Sequence, residues 1–283
     1  MDLGQYEKLI SSERRTQRFV LGFCWKNHQR FCPRCRSRRV YRLADGRRRC
    51  GRCRYTFHDL TARWINRGGL TLGQWLRLVK LFELEVSPRK MASQLGLAYR
   101  TVYKAVTTIR LAIVAHANHA PELLSGEVEM DESYFGGYRK GKRGRGAAGK
   151  VPVFGILERE GKVFVQALPN IQARTVLGLA VTKVRRGSIV YTDRFQIYDS
   201  LMFCGYRHLK VDHATHFARG RVTINGLEGF WAWAKERLMK HHGVSPQRFP
   251  LYLKELEFRY NHRHDDLFSL VVQLLCHLVP NQA

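Results

Sequence analysis

The first 120 residues read as short helices interrupted by a stretch without helical period. Residues 1–30 set Tyr6, Leu9, Ile10, Phe19, Val20 and Phe23 as apolar anchors of a helical segment. From residue 31 to about Trp64 that rhythm is lost. There Arg38 to Leu43 reads as a strand, Ala44-Asp45-Gly46 as a turn, and Tyr55-Thr56-Phe57 as a further short strand. Arg67-Gly68-Gly69 is a hinge, after which Thr71 caps a helix with Leu72, Trp75, Leu76, Val79 and Phe82 along one face. Ser87-Pro88 starts a short helix that ends near Gly96, and a longer helix runs from about Tyr99 to His116. This is the rhythm of a helix-turn-helix, whose second helix presents Tyr99, Arg100, Tyr103 and Lys104 near its start.

Beyond a boundary at residues 121–126 the period changes to two. Glu127 to Tyr134 alternates apolar and acidic, as a half-buried strand does. Alternation puts Glu129 and Asp131 on one side, and Val128, Met130 and Glu132 on the other. Val151 to Leu157 and Lys162 to Leu168 are the next strands, joined by Glu158-Arg159-Glu160-Gly161 into an antiparallel meander. A helix over Thr175–Val184, a fourth strand over Ser188–Asp193, and helices near Ile224–Lys240 and Pro250–Tyr260 complete the pattern. The expected domains are a helical segment at 1–30, a metal ribbon at 31–66, a helix-turn-helix region at 70–120 and a larger α/β domain at 126–283. Leu267–Val279, the longest apolar-looking stretch, is broken by Ser269, Gln273 and His277 and falls short of the ~20 apolar residues a membrane span needs. Lys8, Arg14, Arg15 and Arg18 stand near the start without an apolar core, so no secretory signal is expected.

Charge sharpens this outline. The 283-residue chain has 49 Lys and Arg against 23 Asp and Glu, a formal excess of +26. Such an excess opposes compaction unless a polyanion is the partner, which points to nucleic acid first and an anionic membrane surface second. Residues 1–70 carry net +13 of it, so a basic recognition region precedes a more balanced one. Between residues 31 and 67 all twelve basic residues are Arg, the residue suited to phosphate and guanine. Arg36, Arg38 and Arg39 on the ribbon and Arg100 and Lys104 on the second helix are candidate DNA contacts. Lys140, Lys142, Arg143 and Arg145 join them, in a Gly-rich stretch that reads as a flexible hairpin tip.

Of the seven cysteines, four form the pairs Cys32-Pro-Arg-Cys35 and Cys50-Gly-Arg-Cys53, with fourteen residues between them. Each pair offers two thiolates to one tetrahedral Zn2+, and so small a fragment would draw its folding energy from the metal. Cys24, Cys204 and Cys276 lack a partner pattern and read as buried apolar residues.

Three acids stand out by position. Asp131 lies on the first strand, Asp193 ends the fourth, and Glu228 lies early in the long helix, 35 residues later. Carboxylates from separate elements converge sensibly only around hard cations such as Mg2+. Two such ions can clamp the attacking and leaving oxygens of a phosphoryl displacement. Three meander strands, a helix, a fourth strand and later helices make a ribonuclease-H-like (integrase-type) order. The expected fold is thus an α/β mixed sheet with flanking helices, preceded by a zinc ribbon and a helix-turn-helix.

Specific stretches carry a resemblance. They are Gly126-Glu127-Val128-Glu129-Met130-Asp131-Glu132-Ser133-Tyr134-Phe135-Gly136-Gly137, Val190-Tyr191-Thr192-Asp193, Asn225-Gly226-Leu227-Glu228-Gly229-Phe230-Trp231 with Lys235, and Glu257-Phe258-Arg259-Tyr260-Asn261-His262-Arg263. With the cysteine ribbon they cover roughly residues 20–265. In that order they resemble bacterial insertion-sequence DDE transposases of the ISXO-like group, which carry an N-terminal zinc ribbon. The resemblance implies catalytic acids at Asp131, Asp193 and Glu228 and a supporting Lys235 that contacts phosphate on the donor DNA end. It also implies catalytic Mg2+ or Mn2+ beside the structural Zn2+. The double-stranded DNA partners are then the terminal inverted repeats and a target. Pairing two ends implies a homodimer or higher assembly, in the bacterial cytoplasm at the nucleoid and without a membrane. Lys235 follows Glu228 by seven residues, two helical turns along the same face. Asn225 is an alternative third ligand, although an anionic oxygen suits Mg2+ better than an amide. Glu129 is a candidate helper beside Asp131. His208, His213 and His216 suit metal, DNA or packing equally. The rival readings are a non-catalytic DNA-binding regulator, another ribonuclease-H-like nuclease such as a junction resolvase, and a tyrosine recombinase. None of the twelve tyrosines has a clear nucleophile context for the last.

Overall fold

A computed structural model describes residues 1–25, 31–119, 123–136, 150–211 and 223–280, with 118 and 119 as backbone alone. The chain divides into two units. One holds Met1–Ala117 together with the segment from His262 on, and the other holds Asn118–Asn261.

In the first unit α1 (Leu3–Ile10) and α2 (Glu13–Cys24) start at Asp2 and Ser12, whose side chains accept main-chain N–H groups of the first turn. A ribbon follows with β1 (Val40–Arg42), β2 (Arg48–Cys50) and β3 (Thr56–Phe57), antiparallel in that order. Thr71 caps α3 (Leu72–Glu83) through a reciprocal pair with Gln74. Ser87 and Pro88 start α4 (Pro88–Leu95), Gly96 ends it at φ 62°, and α5 (Tyr99–His119) follows. The turn between α4 and α5 is therefore as short as the sequence suggested.

The last helix, α9 (Leu267–Cys276), packs on α2 and α3 and buries Phe268, Val272 and Leu275 with Val20, Trp75 and Val79. Arg63 fastens it. This buried guanidinium donates to main-chain oxygens of Asp59 (2.9 Å), Cys24 (2.8 Å) and Cys276. Val279 N–H also donates to Ala62 O at 2.8 Å. The expected α/β domain of 126–283 therefore ends near residue 261. The reason is that α9 is apolar enough to need burial, and its partners lie at the start of the chain. Cys24 and Cys276 are buried, as expected, while Cys204 is half-buried.

The second unit is a five-stranded sheet in the order β6-β5-β4-β7-β8. Its strands are β4 (Glu127–Phe135), β5 (Val151–Glu158), β6 (Val163–Ala167), β7 (Ile189–Thr192) and β8 (Arg207–Lys210). The first three form the antiparallel meander, while β7 and β8 run parallel to β4. This is the ribonuclease-H-like arrangement. Strand β8 and the 3-10 segment Gln196–Cys204 did not show in the sequence pattern. On one face α6 (Ala173–Lys183) and the 3-10 segment bury Val128, Met130, Phe154 and Ile156. On the other, α7 (Asn225–Met239) and α8 (Phe249–Asn261) bury Val153, Leu157 and Val165.

The outer edge of β6 is closed by side chains of α8. Glu257 accepts Val165 N–H at 2.8 Å, and Asn261 both accepts Val163 N–H (2.7 Å) and donates to Val163 O (2.9 Å). Those two positions, i and i+4 on one helix face, satisfy strand groups that would otherwise template further pairing. Among the described residues no helix is long and apolar enough to cross a membrane.

Candidate active site

The β4–β7 register pairs Glu127 with Ile189, Val128 with Val190 and Glu129 with Tyr191. Two residues further along, Asp131 and Asp193 come side by side where β7 ends. Their coupling is electrostatic as well as geometric. Burial raises Asp131 from the usual 3.8 to about 7, with the charges of Glu132 and then Asp193 adding to it. Asp193 is held in its turn by Phe195 N–H, which donates to Oδ1 at 2.9 Å. Below it the Thr192 hydroxyl donates to Asp193 O (2.7 Å), so it accepts from His208 Nε2 (2.8 Å). Burial and then Lys210 hold His208 below the usual histidine value. His208 thus hydrogen-bonds to the β7 end, while His213 and His216 lie outside the described residues.

Helix α7 brings the third acid. Glu228 is in its exposed first turn, as is Asn225. One turn on, Trp231 Nε1 donates to Asp131 Oδ2 at 3.0 Å. Another turn on, Lys235 lies over the Phe135 ring at 5.5 Å. Partial desolvation lowers the Lys235 ammonium, and the charge of Asp131 opposes that. Glu228, Trp231 and Lys235 therefore share a stripe of α7 that looks onto Asp131. The stripe can approach because β5 offers no side chain beneath it. Gly155 pairs with Asp131, and a Cβ there would stand 2.6 Å from Trp231 Cζ2.

Trp231 and Gly155 shape the surroundings of Asp131, and sequence reasoning gave neither a role. A tryptophan three residues after the helix acid and a glycine inside an apolar strand were the available signals. Tyr198 is a third, donating to the buried Glu132 at 2.8 Å and so tying the 3-10 segment after Asp193 to the far face of β4. The three carboxylates do not all lie within 4.8 Å of one another; among the described residues only the cysteine cluster is that tight. Oxygen donors from three elements, one of them already resisting ionisation, fit a divalent hard cation.

The cysteine site is built from two matching knuckles. Arg36 N–H donates to Cys32 O and Arg54 N–H to Cys50 O, with Arg36 and Arg54 both at φ 60°. The Cys32 and Cys53 sulfurs lie 3.6 Å apart, those of Cys35 and Cys50 3.5 Å, and all four fall within 4.8 Å. A sulfur tetrahedron around zinc, with bonds of about 2.3 Å, has edges of roughly 3.8 Å, so the set fits a structural Zn2+. The N–H groups of Cys53 and then Arg52 pull the Cys50 thiol down to about 6.

Of the basic candidates, Arg36, Arg38 and Arg39 are exposed on the ribbon, and Arg100 and Lys104 are exposed on the first turns of α5. Lys140, Lys142, Arg143 and Arg145 lie outside the described residues.

Comparison with known proteins gives the family. The family model "ISXO2-like transposase domain" matches residues 123–261, and "Transposase zinc-ribbon domain" matches 11–56. A Halobacterium salinarum protein described as lying in transposable element ISH50 is 30% identical over 278 residues, covering 89% of this chain and 92% of its own. The chain belongs to the ISXO2-like transposase family. A transposase-like protein of Haemophilus influenzae is 44% identical over 100 residues, which is 35% of this family member and 81% of that protein. Among solved structures, a pre-cleavage Mos1 transpososome overlaps at 13% identity and a TM-score of 0.31, covering 71% of this chain and 74% of its own. At that level the strand order itself is the stronger guide to fold.

Proposed function

We propose that this protein catalyses transposition, cutting DNA at the ends of its insertion sequence and joining the freed 3′-hydroxyl to a target phosphodiester. The observation that carries the reading is the meeting of Asp131, Asp193 and the Glu228 stripe of α7 at one end of the sheet, within the matched transposase domain. Asp131, Asp193 and Glu228 would hold two Mg2+ or Mn2+ ions, with Asn225 beside them in the same helical turn. When bound, those ions supply an activated water or hydroxyl and neutralise charge on the scissile phosphate.

The chain's own residues do the rest. Trp231 fixes the orientation of the Asp131 carboxyl. Phe195 N–H and Thr192 fix Asp193. Lys235, exposed on the same stripe, contacts a phosphate of the donor end. The ribbon arginines Arg36, Arg38 and Arg39 and the α5 residues Arg100 and Lys104 grip the terminal repeat. In this reading α4 and α5 act as a helix-turn-helix, and Lys140, Lys142, Arg143 and Arg145 add phosphate contacts. Two ends must be cut together, so the working form is a homodimer or larger assembly on double-stranded DNA, acting at the bacterial nucleoid.

The test is cleavage and strand transfer on the element's own end DNA with Mg2+, comparing wild type with Asp193→Ala. Wild type should cut and join, while the variant binds the end but does neither. Equal binding with no cutting by either protein under any divalent metal would leave a DNA-binding regulator as the function. Cutting of branched DNA without joining would make it a resolvase-type nuclease.

A further inference from the structure

Helix α7 begins without a side-chain cap of its own: its N-cap is Ile224, which has no hydrogen-bonding side chain. The missing acceptor comes from the sheet. Glu129, on the same face of β4 as Asp131 and almost wholly buried, accepts Leu227 N–H at 2.8 Å through Oε2. A carboxylate at a helix N-terminus is favourable, but a buried one needs a cation. Arg159 supplies it. Its Nε donates to Glu129 Oε1 at 3.1 Å, one terminal nitrogen to Glu127 Oε2 at 2.7 Å, and the other to Thr223 O at 2.8 Å. Its guanidinium also lies 3.8 Å from the centroid of Tyr191, whose hydroxyl donates to Glu127 at 3.0 Å.

One side chain thus joins β4 two residues before Asp131, β7 two residues before Asp193, and the entry to α7 five residues before Glu228. The fit is tight. A Cβ on Gly226 would lie 3.0 Å from Glu129 Oε2 and 3.1 Å from Leu157 Cδ2, so the first turn has little room to slide. We infer that Arg159, acting through Glu129, is a positioning residue that fixes the first turn of α7 over β4 and so sets where Glu228 stands relative to Asp131 and Asp193.

This rests on the transposase reading for its catalytic consequence, and the test separates the two. Full-length wild type, Arg159→Met, Arg159→Lys and Glu129→Gln are compared by hydrogen exchange and by end cleavage over a Mg2+ titration, with end-DNA binding as control. Arg159→Met should speed exchange at Leu227 and Glu228 at least tenfold while β5 stays protected. It should also raise the half-saturating Mg2+ concentration by about tenfold, the low end of the loss when residues that orient metal ligands are removed, with end binding unchanged. Arg159→Lys and Glu129→Gln should fall between. Loss of stability alone would lower maximal cleavage without moving the Mg2+ midpoint. Unchanged exchange at Leu227, or faster exchange with an unmoved midpoint, overturns the positioning role. A wild type inactive with every divalent metal overturns the transposase reading and the catalytic role with it.

Discussion

Substituting Gly155 by Ala tests whether the bare stretch of β5 is what lets α7 reach Asp131. The added Cβ would stand 2.6 and 2.7 Å from two Trp231 ring carbons and 3.1 Å from Leu227 Cδ1. Carbon contacts settle near 3.5–4.0 Å, so the indole must retreat by about 1 Å. Overpacking of this kind costs about 1–3 kcal/mol. Retreat also weakens the Trp231 bond to Asp131, and bonds to charged groups contribute about 1.5–3 kcal/mol. Replacing a strand glycine returns about 0.5–1 kcal/mol. The balance is a loss of about 2–3 kcal/mol, with slower cleavage because α7 is displaced. Gly178 is the control of opposite sign. It is exposed in α6, and a Cβ added there would meet nothing within 4 Å, so Gly178→Ala should stabilise by about 0.5–1 kcal/mol. Urea unfolding followed by tryptophan fluorescence reads both. A Gly155→Ala protein as stable and active as wild type, or two glycine variants that move stability the same way, would refute the argument from space.

Two further outcomes follow from the titrating groups. Asp131, usually near 3.8, is raised to about 7, so its ionisation opposes folding in buffer free of divalent cations. Stability is fully present below pH ~4, declines to pH ~7 and then levels. Three pH units at about 1.4 kcal/mol each set a ceiling near 4 kcal/mol, and residual solvent contact leaves about half. Asp131→Asn should therefore gain about 2 kcal/mol over wild type at pH 8, with the gap narrowing toward pH 5 in urea titrations. A gap that does not change with pH would refute this. At the ribbon, Cys50→Ser removes one of four sulfurs and should release zinc, measured by native mass spectrometry. End binding should weaken at least tenfold while the sheet unit keeps its unfolding transition. Retained zinc with unaltered end binding would contradict the site.

What the sequence made legible was local. The cysteine pairs announce themselves because ligand spacing within a knuckle is fixed by a few backbone bonds. The strand of Asp131 is legible because alternation has a period of two, and that of Asp193 because a short apolar run ends on an acid. Glu228 is reached through the resemblance of its motif, since α7 starts without a capping side chain. Helix α9 was not placed correctly, because an apolar helix declares that it must be buried and not against what. Its clasp, Arg63 to Cys276, spans 213 residues. Arg159 stayed hidden for the same reason: in sequence it is a polar residue in a hairpin turn, and its partner Thr223 is 64 residues away.

The run Glu127, Glu129, Asp131, Glu132 shows where local reading stops and tertiary structure decides. Alternation separates Glu132 from the others but cannot rank Glu129 against Asp131, which share a face. Their surroundings do. Glu129 and Glu127 both meet the guanidinium of Arg159, so each has a cation of the fold beside it. Glu132 meets the Tyr198 hydroxyl on the opposite face. Asp131 is bonded by an indole N–H, and the charges that raise it are the carboxylates of Glu132 and Asp193. An acid whose neighbours are acids is stable in its charged form only beside a cation. Arg159 is engaged by Glu127 and Glu129, and Lys235 on α7 feels the charge of Asp131; in the function proposed above, a divalent cation would complete the balance there.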